Sequence, residues 1–164
     1  MSSFSFDIVS EIDKAAMNNA VEGAQREVAN RYDFKGTPAN IDWLGDKKGV
    51  KITGNNDWQI ESILDILRKN LAKYNLTSKF LNLEKPILTN NMQSSQEIPF
   101  VEGLDAEKAK QVTKLIRDNY PKAKPQIQGQ MVRVTSGSKD ELQNIMQLLR
   151  QSKLEFAVDF TNFR

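Results

Sequence analysis

Apolar and polar positions alternate in the same way over two stretches of the chain. VKITGNNDWQIESILDILR runs from Val50 to Arg68, and VRVTSGSKDELQNIMQLLR from Val132 to Arg150. They align without a gap. Val50, Lys51, Ile52 and Thr53 fall on Val132, Arg133, Val134 and Thr135. Ile60, Ile63, Leu64 and Leu67 fall on Leu142, Ile145, Met146 and Leu149. The first four positions have the two-residue period of a half-buried strand. A break at Gly54 or Gly137 follows, and then apolar residues at i, i+3, i+4 and i+7 mark one stripe of a helix. Asn56 with Gln59, and Ser138 with Glu141, have the spacing of capping boxes. A strand period, a turn and a helix period kept in register together point to a duplicated domain.

The rest of the chain completes each unit. Phe4, Phe6 and Ile8 alternate with Ser5, Asp7 and Val9 as a first strand. Ser10 or Asp13 caps a helix reaching Arg31, with Met17, Val21, Ala24, Val28 and Tyr32 on its inner side. Gly36 and Pro38 mark a loop, and Ile41 to Thr53 reads as a hairpin. A small strand is expected at Phe80–Leu83, and the polar run Thr89–Gln96 reads as an exposed segment with little structure of its own. In the second half, a strand at Gln96–Val101 precedes a helix capped by Asp105. A hairpin about Gly129-Gln130, a helix over 139–151 and a strand through Phe156, Val158 and Phe160 follow. The repeated order is strand, helix, strand, strand, helix, strand. The fold class is therefore α+β, with two ferredoxin-like β-α-β-β-α-β domains. We expect the first over residues 10–101, including a linker at 84–95 and a strand at 96–101, and the second over 102–164.

Composition narrows the chemistry. The 164 residues carry 23 basic and 21 acidic side chains, a net charge of +2, so bulk charge does not announce a polyanion partner. Cysteine and histidine are absent, which removes disulfides, thiolate chemistry, thiolate- or imidazole-bound zinc and histidine acid–base catalysis. No phosphate-binding glycine loop or carboxylate triad for a metal is present. No enzyme, cofactor or metal site is expected. Met1 precedes SSFSFDIVSEID, which has neither a basic n-region nor an apolar h-region, and no apolar run reaches spanning length. A cytoplasmic protein without a membrane partner is the expectation.

Two places hold candidate binding chemistry. On the outward phase of the strands lie Gln126, Gln128, Arg133, Thr135 and Asp159 in one half, and Asn40, Asp42, Lys51, Thr53 and Glu97 in the other. The strand aromatics fall on the inward phase, unlike sheets that stack RNA bases on exposed rings. Arg133 and its glutamines suit hydrogen bonding to a base or phosphate, or a protein interface. The second place is Arg31-Tyr32-Asp33-Phe34-Lys35-Gly36, where cations adjoin rings. There the alternatives are a ligand loop, or a core plug formed by Tyr32 and Phe34. Trp58 reads either as a stacking platform or as a cover for a domain seam.

SFDIVSEID at 5–13, RYDFKG at 31–36, QIQGQMVRVTS at 126–136 and NFR at 162–164 together resemble the YajQ family of nucleotide-binding proteins. The resemblance covers essentially the whole chain. It implies two ferredoxin-like domains that exchange their N-terminal strands, with residues 1–9 contributed to the second half and 96–101 to the first. It also implies a nucleotide partner, either RNA or a cyclic dinucleotide such as cyclic di-GMP, in a regulatory role. The nucleotide-binding positions it points to are Arg31, Phe34, Lys35, Gln128 and Arg133. The alternative is a protein-interaction adaptor that meets a regulatory partner through its polar sheet faces.

Overall fold

The computed structural model describes residues 3–164. It is a mixed α+β protein with two four-stranded antiparallel sheets and four helices, consistent with two ferredoxin-like halves. In chain order the strands and helices are β1 (Phe4–Val9), α1 (Lys14–Asn30), β2 (Asn40–Trp43), β3 (Gly49–Gly54), α2 (Asp57–Lys73), β4 (Leu88–Asn90) and β5 (Gln93–Pro99). Then come α3 (Ala106–Asn119), β6 (Lys124–Gln128), β7 (Met131–Ser136), α4 (Lys139–Gln151) and β8 (Asp159–Thr161). The chain divides into two compact units. One joins residues 1–11 to 102–164, and the other is 12–101.

In the 12–101 unit the sheet order is β2-β3-β5-β4. Val50 and Ile52 of β3 pair with Ile98 and Gln96 of β5, which sets one inward row, apolar except for Gln96, toward the helices. Ile60, Ile63, Leu67 and Leu71 of α2 are fully buried, as the helical stripe requires. Helix α1 places Ala20 and Ala24 at 0% exposure, and Gly23 between them meets Asn70 of α2. A Cβ on Gly23 would stand 2.6 Å from the Asn70 Oδ1 atom. The small residues of α1 thus set its distance to its partner helix. Gly49 performs a similar service where β3 pairs with the end of β5. A Cβ there would lie 2.5 Å from the Ile98 carbonyl oxygen and 2.7 Å from the Pro99 Cα.

In the other unit the order is β6-β7-β1-β8. Its core joins Phe6 and Ile8 to Val132 and Val134, with Val112 and Ile116 of α3 and Leu142, Ile145 and Leu149 of α4. β1 lies between β7 and β8, although the element that follows it, α1, belongs to the 12–101 unit. Conversely, β5 lies between β3 and β4, and the helix after it belongs with β1.

The N-caps behave as their residues predict, and the far halves of both capping boxes do not. The side chains of Asp13, Asn56, Asp105 and Ser138 each accept the backbone N–H three residues on. Neither capping box closes in the usual reciprocal way. The Gln59 Oε1 atom accepts from the Asn55 backbone, at 2.7 Å, and the Glu141 carboxylate accepts from the Ser136 hydroxyl, at 2.9 Å.

Five local expectations are corrected. The 84–95 stretch is not a structureless linker. It contains β4 and the start of β5, turned through Asn91 and Met92, both at positive φ (50° and 64°). The alternation was concealed because the inward positions are polar: Ser94 and Gln96 are buried and hydrogen-bonded, Ser94 to the Thr89 hydroxyl and Gln96 to the Lys85 carbonyl. The strand expected at 96–101 therefore begins earlier and ends at Pro99. At Phe80–Leu83 a 3₁₀ turn, Ser78–Phe80, precedes a single bridge from Leu81 to Phe100. The last strand covers only Asp159–Thr161, while Phe156 still reaches the core. Tyr32 is not an inner residue; it is 87% exposed.

Candidate functional site

Arg133 lies on β7, and the ladder places Asp7 of β1 directly opposite. The Arg133 Nε atom donates to Asp7 Oδ1 at 2.9 Å, and Nη2 donates to Oδ2 at 3.3 Å. The Asn162 side-chain amide donates to the same Oδ2 at 2.9 Å. Asp7 is 3% exposed. The Arg133 hydrogen bond holds its carboxyl below the usual carboxylate range, against the opposing effect of burial, and Asn162 adds to the lowering. The guanidinium of Arg133 is correspondingly raised, first by its hydrogen bond to Asp7. Arg133 is therefore half of a neutral, oriented pair. Two of its nitrogens face Asp7, and its other donors remain available.

The C-terminal residues complete this arrangement. Asn162 adopts a left-handed φ of 59°, which bends the chain after β8. Beyond the bend, Arg164 and Ser5 exchange backbone hydrogen bonds at 3.0 and 3.2 Å. The Phe163 ring stacks on Phe6 with centroids 6.2 Å apart. The terminal Asn-Phe-Arg is thus accounted for by packing on β1.

The ladders make a cross-strand row of Gln126, Arg133, Asp7 and Thr161, and a second of Lys124, Thr135 and Ser5. Gln128 lies two residues from Gln126 and pairs with Met131 at the hairpin end. Gln126 is exposed and Gln128 is half-buried. This face offers amides, hydroxyls and one paired guanidinium. The phenylalanines of this sheet lie on the other side, Phe6 and Phe160 in the core and Phe4 packed against it.

The 31–37 loop lies in the 12–101 unit. Arg31 makes a two-point ion pair with Asp33, at 2.9 and 2.8 Å. Its guanidinium also sits 4.9 Å from the Phe34 ring centroid. The hydrogen bond to Asp33 raises the Arg31 pKa and lowers that of Asp33. Phe34 is 4% exposed, so its ring plugs the core beneath the loop. The free ring is Tyr32, with Lys35 Nζ 6.0 Å from its centroid. Among the described residues, Lys35 makes no ion pair. The loop is braced from below: Gln59 Nε2 donates to Thr37 Oγ1 at 3.3 Å, and Thr37 in turn donates to the Phe34 carbonyl. Trp58, beside Gln59, is 66% exposed.

The five residues singled out from the sequence therefore fall into two sets. Arg31, Phe34 and Lys35 share one loop, and Gln128 and Arg133 share one hairpin of the other unit. Asp7, Asn162 and Asp33, which decide how the arginines are held, were not singled out. The only sequence signal for Asp7 was a charge on the alternate phase of an apolar strand. Among the described residues, no cluster of three or more Asp, Glu, His or Cys could hold a metal ion, and every buried side-chain nitrogen or oxygen is hydrogen-bonded. No helix among them is long and apolar enough to cross a membrane.

These features define a two-unit α+β scaffold with amides and basic groups on its polar surfaces. The model of one family, described as "Nucleotide-binding protein YajQ-like", matches residues 4–164. A protein of Nocardioides sp. named a nucleotide-binding protein is 41% identical over the full length of both chains. Proteins with the same name from Teredinibacter turnerae and Proteus mirabilis are 43% and 40% identical over 98% of each chain. The chain belongs to the YajQ-like family.

Proposed function

We propose that this chain is a noncatalytic nucleotide-binding protein of the cytoplasm, acting as a regulator. Membership in a family described by nucleotide binding, over residues 4–164, carries the reading. Its ligand takes one of two forms, a cyclic dinucleotide or RNA. Lys35 meets phosphate, while Arg31 and Phe34 hold the loop in shape for it. In the other unit, Gln128 and the free donors of Arg133 meet a base edge or a second phosphate. The position of β1 between β7 and β8, and of β5 between β3 and β4, supports a body built from two halves, 10–101 and 102–164, that exchange their first strands. A protein-interaction adaptor is the second reading. The mixed-charge face of Asn40, Asp42, Lys51 and Glu97 favours it.

Calorimetric titration with GTP, ATP, cyclic di-GMP and short RNA tests the first reading. Saturable binding of at least one is expected, weakened by Lys35→Glu or by changes at Arg133. Absence of binding to all four overturns it. Since Arg133 also holds Asp7, its variants require folded-fraction controls.

A further inference from the structure

A separate basic surface lies on the unit that contains α3. Between Ala106 and Lys124 the chain has six basic residues and two acidic ones. The remainder of the chain is therefore slightly acidic, so the cations are concentrated rather than spread. Lys110, Lys114 and Arg117 stand at i, i+4 and i+7 of α3, one stripe about 10 Å long at 1.5 Å per residue. All three are exposed, as are Lys122 and Lys124 just beyond the helix. None of the five makes an ion pair among the described residues.

The direction of the stripe follows from what the rest of α3 touches. Ala109, Val112, Thr113 and Ile116 are buried. Leu115 packs on the core and Lys108 lies 5.8 Å from the Phe156 ring, so that flank of the helix is occupied. Lys110, Lys114 and Arg117 fall on the opposite flank at 100° per residue. There the next element is β6, the edge strand of the sheet, which begins at Lys124. Along β6, Lys124, Gln126 and Gln128 share the phase that faces away from the core, opposite Thr135, Arg133 and Met131. The acids of α3, Glu107 and Asp118, project to the solvent side of the stripe.

We propose that Lys110, Lys114, Arg117, Lys122 and Lys124 form a binding ridge for the sugar–phosphate backbone of a single-stranded nucleic acid. The ridge leads into Gln126 and Gln128, whose amides both donate and accept and so match base edges. That pairing of phosphate-binding cations with amides favours a nucleic acid over an anionic lipid surface, for which the amides have no use. The absence of rings on this sheet face makes the contact electrostatic, with little dependence on base identity. The proposal takes up the polymeric form of the ligand proposed above, at residues other than the five assigned there.

Fluorescence anisotropy with a labelled single-stranded RNA, titrated from 50 to 250 mM salt, tests it. Five neutralised phosphates predict a slope of about −3.5 in log affinity against log salt, at roughly −0.7 per phosphate. The variant K110Q/K114Q/R117Q, altered only at exposed positions, is expected to flatten the slope by about 2 and to weaken binding at least tenfold at 100 mM salt. Circular dichroism confirms that the variant is folded. The triple variant is expected to bind GTP and cyclic di-GMP as the wild type does, so failure of the loop site and failure of the ridge give different results. An unchanged slope in the triple variant overturns the proposal. So does wild-type protein that ignores RNA, or that binds anionic phospholipid vesicles or inorganic polyphosphate as tightly as RNA.

Discussion

Removing one member of the Asp7–Arg133 pair is predicted to give an asymmetric loss of stability. Asp7→Ala deletes a buried carboxylate and two charge-assisted bonds from Arg133. Each such bond contributes on the order of 1.5–3 kcal/mol where it is dry. The Arg133 side chain is 29% exposed and regains water once Asp7 is gone, which offsets part of the loss. A net cost of about 2–3 kcal/mol follows. In a chain of this size that corresponds to a fall in Tm of about 4–12 °C. Arg133→Met leaves the more deeply buried partner, Asp7 at 3% exposure, charged and without its cation, and is expected to cost more than Asp7→Ala. The double variant is expected to be more stable than Arg133→Met alone.

The pH dependence separates the two variants further. In the wild type the Asp7 pKa is lowered from 3.8, so its contribution is complete above about pH 4–5 and disappears as pH falls through the lowered value. The gap between wild type and Asp7→Ala should stay level from pH 7 to 5 and shrink below 4. In Arg133→Met the main lowering influence is gone, while burial still raises the Asp7 pKa and Asn162 and Arg164 still lower it, so it lies above its wild-type position. That variant should recover stability relative to wild type as pH falls from 7 toward 4. Urea unfolding followed by circular dichroism at pH 7, 5 and 4 measures all three proteins. Arg133→Met milder than Asp7→Ala, or with the wild-type pH profile, would refute the assignment of Asp7 as a buried anion held by Arg133.

Two further changes test the backbone. Gly49→Ala forces a Cβ against the Ile98 carbonyl and the Pro99 Cα, and is expected to destabilise by about 1–3 kcal/mol in a thermal melt; an unchanged Tm would mean that β3 and β5 can part at that point. Met92→Gly relieves a left-handed, 88%-exposed non-glycine residue in the β4–β5 turn, and is expected to raise stability by up to about 1 kcal/mol, whereas a lower Tm would show that the Met92 side chain supports the hairpin.

The elements with an apolar period were legible from the chain alone. The stripes Ile60–Leu71 and Leu142–Leu149 are buried where their spacing placed them, because each helix reports its inner face every three or four residues. The hairpin of β4 and β5 was hidden by Ser94 and Gln96, whose polar side chains occupy inward positions by bonding to Thr89 and Lys85. The candidate binding residues were legible as chemistry and not as environment. Arg31 and Arg133 looked alike, as cations near rings or amides. Folding gives each a carboxylate, Asp33 two residues away and Asp7 126 residues away.

The repeated strand–helix spacing, the helix caps, the inward phase of the apolar strands and the absence of cysteine and histidine were all written in the order of the residues. Such features depend on neighbours within about one turn of helix or one hairpin, and local spacing specifies them. The slot into which β1 fits, the partner that neutralises Arg133, the burial of Phe34 beside an exposed Tyr32, and the flank on which the α3 cations emerge were decided by tertiary structure. Each depends on which distant segments pack together, and packing energy is shared over many contacts rather than encoded at any one position.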